Sequence, residues 1–301
     1  MSKQLSAQEK ADFEDEVKHQ YDKPDSGILG NVRHKKLVKS GENYFPRFSK
    51  GQAKLRSARG KEADVTGMGI DSDRIKIELE DYEAPEYTDI FDQAKTNVDD
   101  VKELAIVIAG AMKRRQEQTV IDAWKNTTYA ANLNARDLVG NKYKAFKIPN
   151  DNKTMTKEKI NKAKQLMVNR NVTGQLFAAA TAEDLEAMLN DTTITSVDYN
   201  AVRALVDGEI NTWCGFKWTF IGVRPEGGLP YDDSAGDGTA LTSAFFWEKM
   251  STGQITNLDR VEVNYIAEKT SWLSNGLFQA GAKMIDPEGL VQVESKVTIP
   301  A

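Results

Sequence analysis

The chain has little histidine and almost no cysteine. Two histidines, His19 and His34, and a single cysteine, Cys214, are spread over 301 residues. Neither histidine has a second histidine or a cysteine at ligand spacing, whereas a zinc site normally needs about four N, S or O ligands. The same scarcity removes histidine-based acid–base catalysis from the body of the chain. One thiol excludes an internal disulfide framework. Cys214 lies between Trp213 and Gly215 beside an expected strand, and reads as a small buried hydrophobe rather than a nucleophile. Long apolar runs are also missing: none approaches the roughly 20 residues needed to cross a bilayer, so no membrane partner is expected. The first residues lead into a charged stretch from Glu9 to Lys18 with no apolar core, which is not the pattern of a signal peptide. The glycine-bearing stretches at 60–69 and 227–238 fit neither the dinucleotide fingerprint nor a phosphate loop, and no Gly-Lys-Ser/Thr triplet occurs. Asp232, Asp233 and Asp237 cluster in the second stretch, but their order is not that of a calcium loop. A solvated loop is the expected reading, and cation binding there stays open. No enzymatic activity, cofactor or metal is expected.

What is present is ordinary folding material, 40% hydrophobic and 28% charged, with a formal net charge of -5. That balance argues against a dedicated nucleic-acid binder. The charges are nonetheless blocked. From Arg33 to Lys61 there are ten Lys or Arg against one acid, Glu42, and from Glu62 to Asp92 eleven acids against Arg74 and Lys76. Residues 1–45 hold few apolar anchors and read as an arm, with a short polar helix at Ser6–His19 interrupted by the Pro24–Gly27 turn signals. Tyr44 to Gly69 is basic and glycine-bearing, and it leads into the period-two run Arg74 to Glu80. These features predict a two-stranded excursion, which is marginal alone in water and needs another surface.

The strongest periodic segment runs from Asn97 to Trp124. Val98, Val101, Ala105, Ile108 and Met112 mark one face of a helix over 97–125, expected to pack against strands at 261–266 and 290–293. Further along, a helix is predicted after Thr154 or Thr156, using Ile160, Ala163, Leu166 and Met167, then a buried strand at 175–179. Thr181 is placed to cap a helix over 182–189, and a short helix is predicted at Tyr199–Val206. Strands are expected at 216–223, 244–247, 261–266 and 290–293, and Ser271–Lys283 reads as a second long amphipathic helix. Such short alternating elements beside one long helix predict an α+β fold. The five tryptophans all fall in apolar segments and read as core or interface anchors. Exposed extensions that need partners point to a subunit of an assembly.

This order of elements resembles the major capsid protein of tailed bacteriophages, the Hong Kong 97 fold. Gln175–Ala178 followed by Ala182–Leu189 is similar to that family's axial strand and helix, although Ala179-Ala180-Thr181 stands where the family often has an Asn-Pro pair. Trp213-Cys214-Gly215-Phe216 leading into Thr219-Phe220-Ile221 resembles its tryptophan, glycine, strand step. Phe278 to Glu294, with Asp286-Pro287 at its centre, resembles the closing helix, turn and last strand. The resemblance implies an N-terminal arm (1–45), an extended β-hairpin loop (46–80), a peripheral domain (81–150) with its spine helix, an axial domain (151–243) and a return to the peripheral domain (244–301).

The resemblance further implies self-assembly as hexamers and pentamers into an icosahedral head enclosing double-stranded DNA, contacted without sequence specificity. It implies a portal protein, a separate scaffolding protein because an arm this short leaves no room for a fused one, and scope for a decoration protein. Assembly in a host cytoplasm and residence in the virion follow from the same likeness. An encapsulin-like, non-viral compartment shell is the alternative. For contacts between subunits, the charge blocks nominate Lys50, Lys54, Arg56, Arg59 and Lys61 on the loop. Their expected acidic partners are Glu80, Asp81, Glu83, Glu86 and Asp89 of a neighbour.

Overall fold

The computed structural model describes residues 27–36, 43–48, 70, 72–89, 100–130, 144–190, 212–234, 236 and 238–298. The polar helix expected at 6–19, the Tyr199–Val206 helix and Val98 lie outside the described residues. Fourteen strands and three α-helices are described. In chain order the first strands are β1 (Arg33–Lys36), β2 (Tyr44–Phe48), β3 (Ser72–Lys76) and β4 (Glu80–Asp89). Helix α1 (Asp100–Lys125) follows, then β5 (Tyr129–Ala130), β6 (Ala145–Ile148), α2 (Lys157–Asn169), β7 (Leu176–Ala180) and α3 (Ala182–Asn190). Next come β8 (Thr212–Trp213), β9 (Phe216–Phe220) and β10 (Tyr231–Asp232). The chain finishes through β11 (Thr239–Glu248), β12 (Thr252–Ile266), β13 (Ser271–Met284) and β14 (Leu290–Thr298).

Two larger sheets organise these strands. One runs β5-β6-β14-β11-β7-β9-β8, with β10 beside β11; the other runs β1-β12-β13-β4, and β2 pairs β3 on its own. In the larger sheet, alternate residues of the central strands feed two cores. Ala178, Phe246, Val291 and Val293 lie on one side with α2 residues Ile160, Ala163 and Met167. Phe177, Phe245, Trp247 and Leu290 lie on the other with Val120, Ile121 and Trp124 of α1. Strands buried on both faces read as continuous apolar runs, which is why strands are expected at 175–179 and 244–247, close to the observed β7 and within β11. The helix ends follow local chemistry. Thr156 caps α2 by accepting from the Lys159 amide, and Asn171 closes it with a positive φ of 57°. At α3, Thr181 Oγ1 accepts from the Asp184 amide while the Asp184 carboxylate accepts from the Thr181 amide, a reciprocal box that satisfies two donors.

Helix α1 joins the two sheets. At 26 residues it is about 40 Å long. Its first half lays Ile108 and Met112 on Phe278 and Ala280 of β13, flanked by Tyr82 and Ala84 of β4. Its last turns enter the second core, where Trp124 lies 4.6 Å from Trp247 and donates its indole N–H to Thr252 Oγ1 at 2.8 Å. Of the contacts expected for this helix, Leu290 shares its core, but 261–266 do not: Val261 and Val263 are each 38% exposed.

Three other expectations are corrected. Residues 271–283 form a strand, not a helix. Burial alternates from Ser274 to Ala280, and an added Cβ at Gly276 would sit 2.6 Å from both Ile108 Cγ2 and Met112 Sδ. The helix backs directly onto strand backbone there, and only glycine permits that approach. Residues 80–89 form a paired edge strand that the sequence reading missed, because its apolar members are small or half-buried and Pro85 interrupts it. The third concerns 27–36, which the composition assigns to the arm. Ile28 and Val32 are buried in the second core, Trp247 donates to the Asn31 carbonyl at 2.9 Å, and β1 pairs β12 in parallel.

Candidate assembly surfaces

The four-stranded sheet carries the residues nominated for subunit contacts. Register fixes which share a face: Gly276 lies opposite Ala84 and Val261, and Phe278 opposite Tyr82, so this face meets α1. Asp81, Glu83 and Asp89, with Tyr87 between, lie on the other face, while Glu80 and Glu86 belong to the helix side. The five acids are thus one strand but two surfaces. The open face also receives the β2–β3 stem, where Phe45 and Ile77 pack on Ile255 and Ile285. Across it runs a hydrogen-bonded row, Asn257 Nδ2 to Gln279 Oε1 at 2.8 Å and Gln279 Nε2 to Asp81 Oδ1 at 2.7 Å. The loop cations Lys50, Lys54, Arg56, Arg59 and Lys61 lie outside the described residues, as does the Val101 side chain. Ala105 is half-buried, and Ile108 and Met112 are buried as expected.

Pairing of β4 with β13 begins at Glu80–Ala280, while β13 continues to Met284. A groove of about 540 Å³ opens there between the sheet and the last turns of α1, lined by Glu80, Tyr82, Arg115, Asp122 and Lys283 among others. The Arg115 guanidinium lies 4.7 Å from the Tyr82 ring centre and 3.8 Å from a Glu226 oxygen. Burial first, and then the hydrogen bond to Glu80, push the Tyr82 phenol above its ordinary value. This groove was not legible in the sequence, because Tyr82, Arg115 and Lys283 come from three separate segments.

Two buried ionisable groups also escaped the sequence reading. The Lys159 ammonium donates to the carbonyls of Asn150, Lys153 and Glu294, each at 2.9 Å, and burial lowers its pKa. Asp184 is fully buried, and burial raises its pKa against hydrogen bonds from Thr242 and Thr181. With their hydrogen-bonding capacity taken up internally, these groups pin α2 and α3 to β11 and β14. Only the Thr181-x-x-Asp184 spacing hinted at either. Among the described residues no group of three or more His, Cys, Asp or Glu is arranged to hold a metal ion. Asp232 accepts from the Ser234 amide at 3.0 Å within its loop, and Asp237 lies outside the described residues. Cys214 is half-buried rather than buried. With φ of 53°, followed by Gly215 at 78°, it occupies the first corner of the tight β8–β9 turn. His34 shares a 2.8 Å hydrogen bond with Thr256 Oγ1.

Solved structures resemble this fold across nearly its whole length. A capsid structure of cyanophage P-SCSP1u matches with a TM-score of 0.65 at 14% identity, covering 93% of this chain and 91% of that one. The capsid of a native GTA particle matches at 0.63 and 11% identity, covering 98% and 95%. Gordonia phage Cozz matches at 0.63 and 10% identity, covering 100% and 92%. Among curated proteins, none matches. The model of the phage capsid protein family matches residues 5–297. A near-complete family match, on a fold shared with solved phage capsids, leaves one conclusion: this chain belongs to the phage capsid protein family and is a major capsid protein of a phage head.

Proposed function

We propose that this subunit assembles as hexamers and pentamers into an icosahedral head around double-stranded DNA, with a portal protein and a separate scaffolding protein, inside the host cytoplasm. In this reading 46–80 is an extended loop, α1 the spine, 151–243 an axial domain and 244–301 the return to a peripheral domain. The observation that carries it is the construction of the four-stranded sheet. One face is closed by α1, while the other presents Asp81, Glu83 and Asp89 beside the stem from which the basic 50–61 segment departs. Basic loops of one subunit laid over the acidic face of the next would both order the loop and orient the neighbour.

Reversing Arg56 and Arg59 to Glu tests this. One rim ion pair is worth about 0–1 kcal/mol, too little to move subunit melting by more than about 2 °C. A shell repeats the loss at every contact, so sedimentation is expected to show at least about a fivefold fall in particles, given roughly 1 kcal/mol lost per contact. The face assignment selects the compensating pair, Glu83→Lys with Asp89→Lys, which should recover part of the yield. Full yield from the Arg56→Glu, Arg59→Glu variant refutes the loop contact, and loss without rescue refutes the acidic partner. Negative-stain images of uniform icosahedral particles filled with DNA test the shell itself.

A further inference from the structure

A second groove, of about 630 Å³, lies on the helix side of the four-stranded sheet at its β1 edge. Leu29, Arg33, His34, Gln116, Lys249 and Met250 line it, and among the described residues none of its lining is acidic. Register places Lys36 on the same face as His34, since these pair with Thr256 and Gln254. Positive charge in the groove comes from Lys249 on its wall and Lys36 on the same sheet face, because the Arg33 guanidinium lies 4.8 Å from the Phe45 ring centre on the opposite face. Its floor is partly apolar: Met250 is 51% exposed, and Leu29 packs at the margin of the second core. An exposed apolar side chain beside lysines fits an amphipathic, acidic partner.

The chain itself supplies one. Residues 9–16 hold Glu9, Asp12, Glu14, Asp15 and Glu16 against Lys10 alone, with the apolar Phe13 among them and Val17 directly after. The described chain begins at Gly27, two residues before the groove wall at Leu29. The ten residue steps from Val17 to Gly27 span up to about 33 Å, so reach is not limiting. We propose that the acidic segment 9–16 docks into this basic groove of its own subunit, before assembly, with Phe13 or Val17 covering Met250. A tether this short gives an effective concentration in the millimolar range, enough for a weak electrostatic contact to be populated.

Hydrogen exchange on the full-length, unassembled subunit tests the proposal independently of the shell reading. Wild type is expected to protect the 9–16 amides relative to the free 9–16 peptide, independently of protein concentration. Lys249→Glu, and separately Glu14→Lys with Glu16→Lys, should each speed exchange there about three- to tenfold, and combining them should restore protection. As a second measurement, Phe13→Cys with Lys249→Cys in a Cys214→Ser background should give an intramolecular disulfide on a non-reducing gel. Three results overturn it. One is exchange at the free-peptide rate with no disulfide. Another is protection that rises with concentration, which assigns the segment to a neighbour's groove. The third is unchanged exchange in Lys249→Glu with weaker retention of a short DNA duplex, which makes the groove a phosphate site.

Discussion

Replacing Gly276 by Ala distinguishes a strand from a helix at 271–284 by the sign of its effect. In a helix the change would stabilise by about 1 kcal/mol, the propensity difference between the two residues. In the strand, the new methyl meets Ile108 Cγ2 and Met112 Sδ at 2.6 Å. Met112 is flexible and its sulfur can swing away, whereas the Ile108 methyl is attached to Cβ and its rotamer is stiff in a helix. Either α1 moves off β13 or the strand bends. Such overpacking costs about 1–3 kcal/mol, from which about 0.5–1 kcal/mol is returned because alanine has less freedom to lose than glycine. The net expectation is destabilisation by about 1–2 kcal/mol, or roughly 2–4 °C in melting temperature for a chain of this size. A double-mutant cycle locates the cause. Ile108→Ala alone should cost about 2–5 kcal/mol, as Ile108 is only 5% exposed. The double variant should cost less than the sum by about 1 kcal/mol, because the truncated side chain makes room for the new methyl. The assay is thermal and denaturant unfolding of the unassembled subunit. A higher melting temperature for Gly276→Ala, or strict additivity with Ile108→Ala, would refute the contact.

Two further outcomes follow from buried polar groups. Trp124→Phe removes the donor to Thr252 and leaves a small void, so it should lower stability by about 1–3 kcal/mol, and a melting shift below about 1 °C would count against the hydrogen bond. Asp184 has a pKa raised mainly by burial, so the stability it contributes is full below its unfolded value and is lost as pH rises through its folded one. Asp184→Asn should therefore flatten the fall of melting temperature above about pH 4, each tenfold change in proton affinity being worth about 1.4 kcal/mol. Parallel wild-type and variant profiles would contradict this.

The local signals in the sequence were strong where a residue's own neighbours decide its state. Thr156 and Thr181 announced helix starts because capping uses groups three residues apart, and the runs 176–180 and 244–247 announced strands buried on both faces. The order of elements carried the family, and the spacing of Ile108 and Met112 carried the inner face of α1. What tertiary structure alone decided is what those faces meet. Ser271–Met284 has apolar residues that satisfy a helical stripe and a strand alternation about equally, and pairing with β12 and β4, with α1 pressed against Gly276, selects the strand. Glu80–Asp89 has too few large apolar residues to declare itself, and becomes a strand because β13 offers an edge to pair with. Ile28 and Val32 look like isolated residues in a polar arm until the Trp124–Trp247 core supplies the surface that buries them. The partition of the acids into Asp81, Glu83 and Asp89 on one face and Glu80 and Glu86 on the other was likewise invisible. A period-two rule assigns faces only once the strand and its register exist, and register is set by partners distant in the chain.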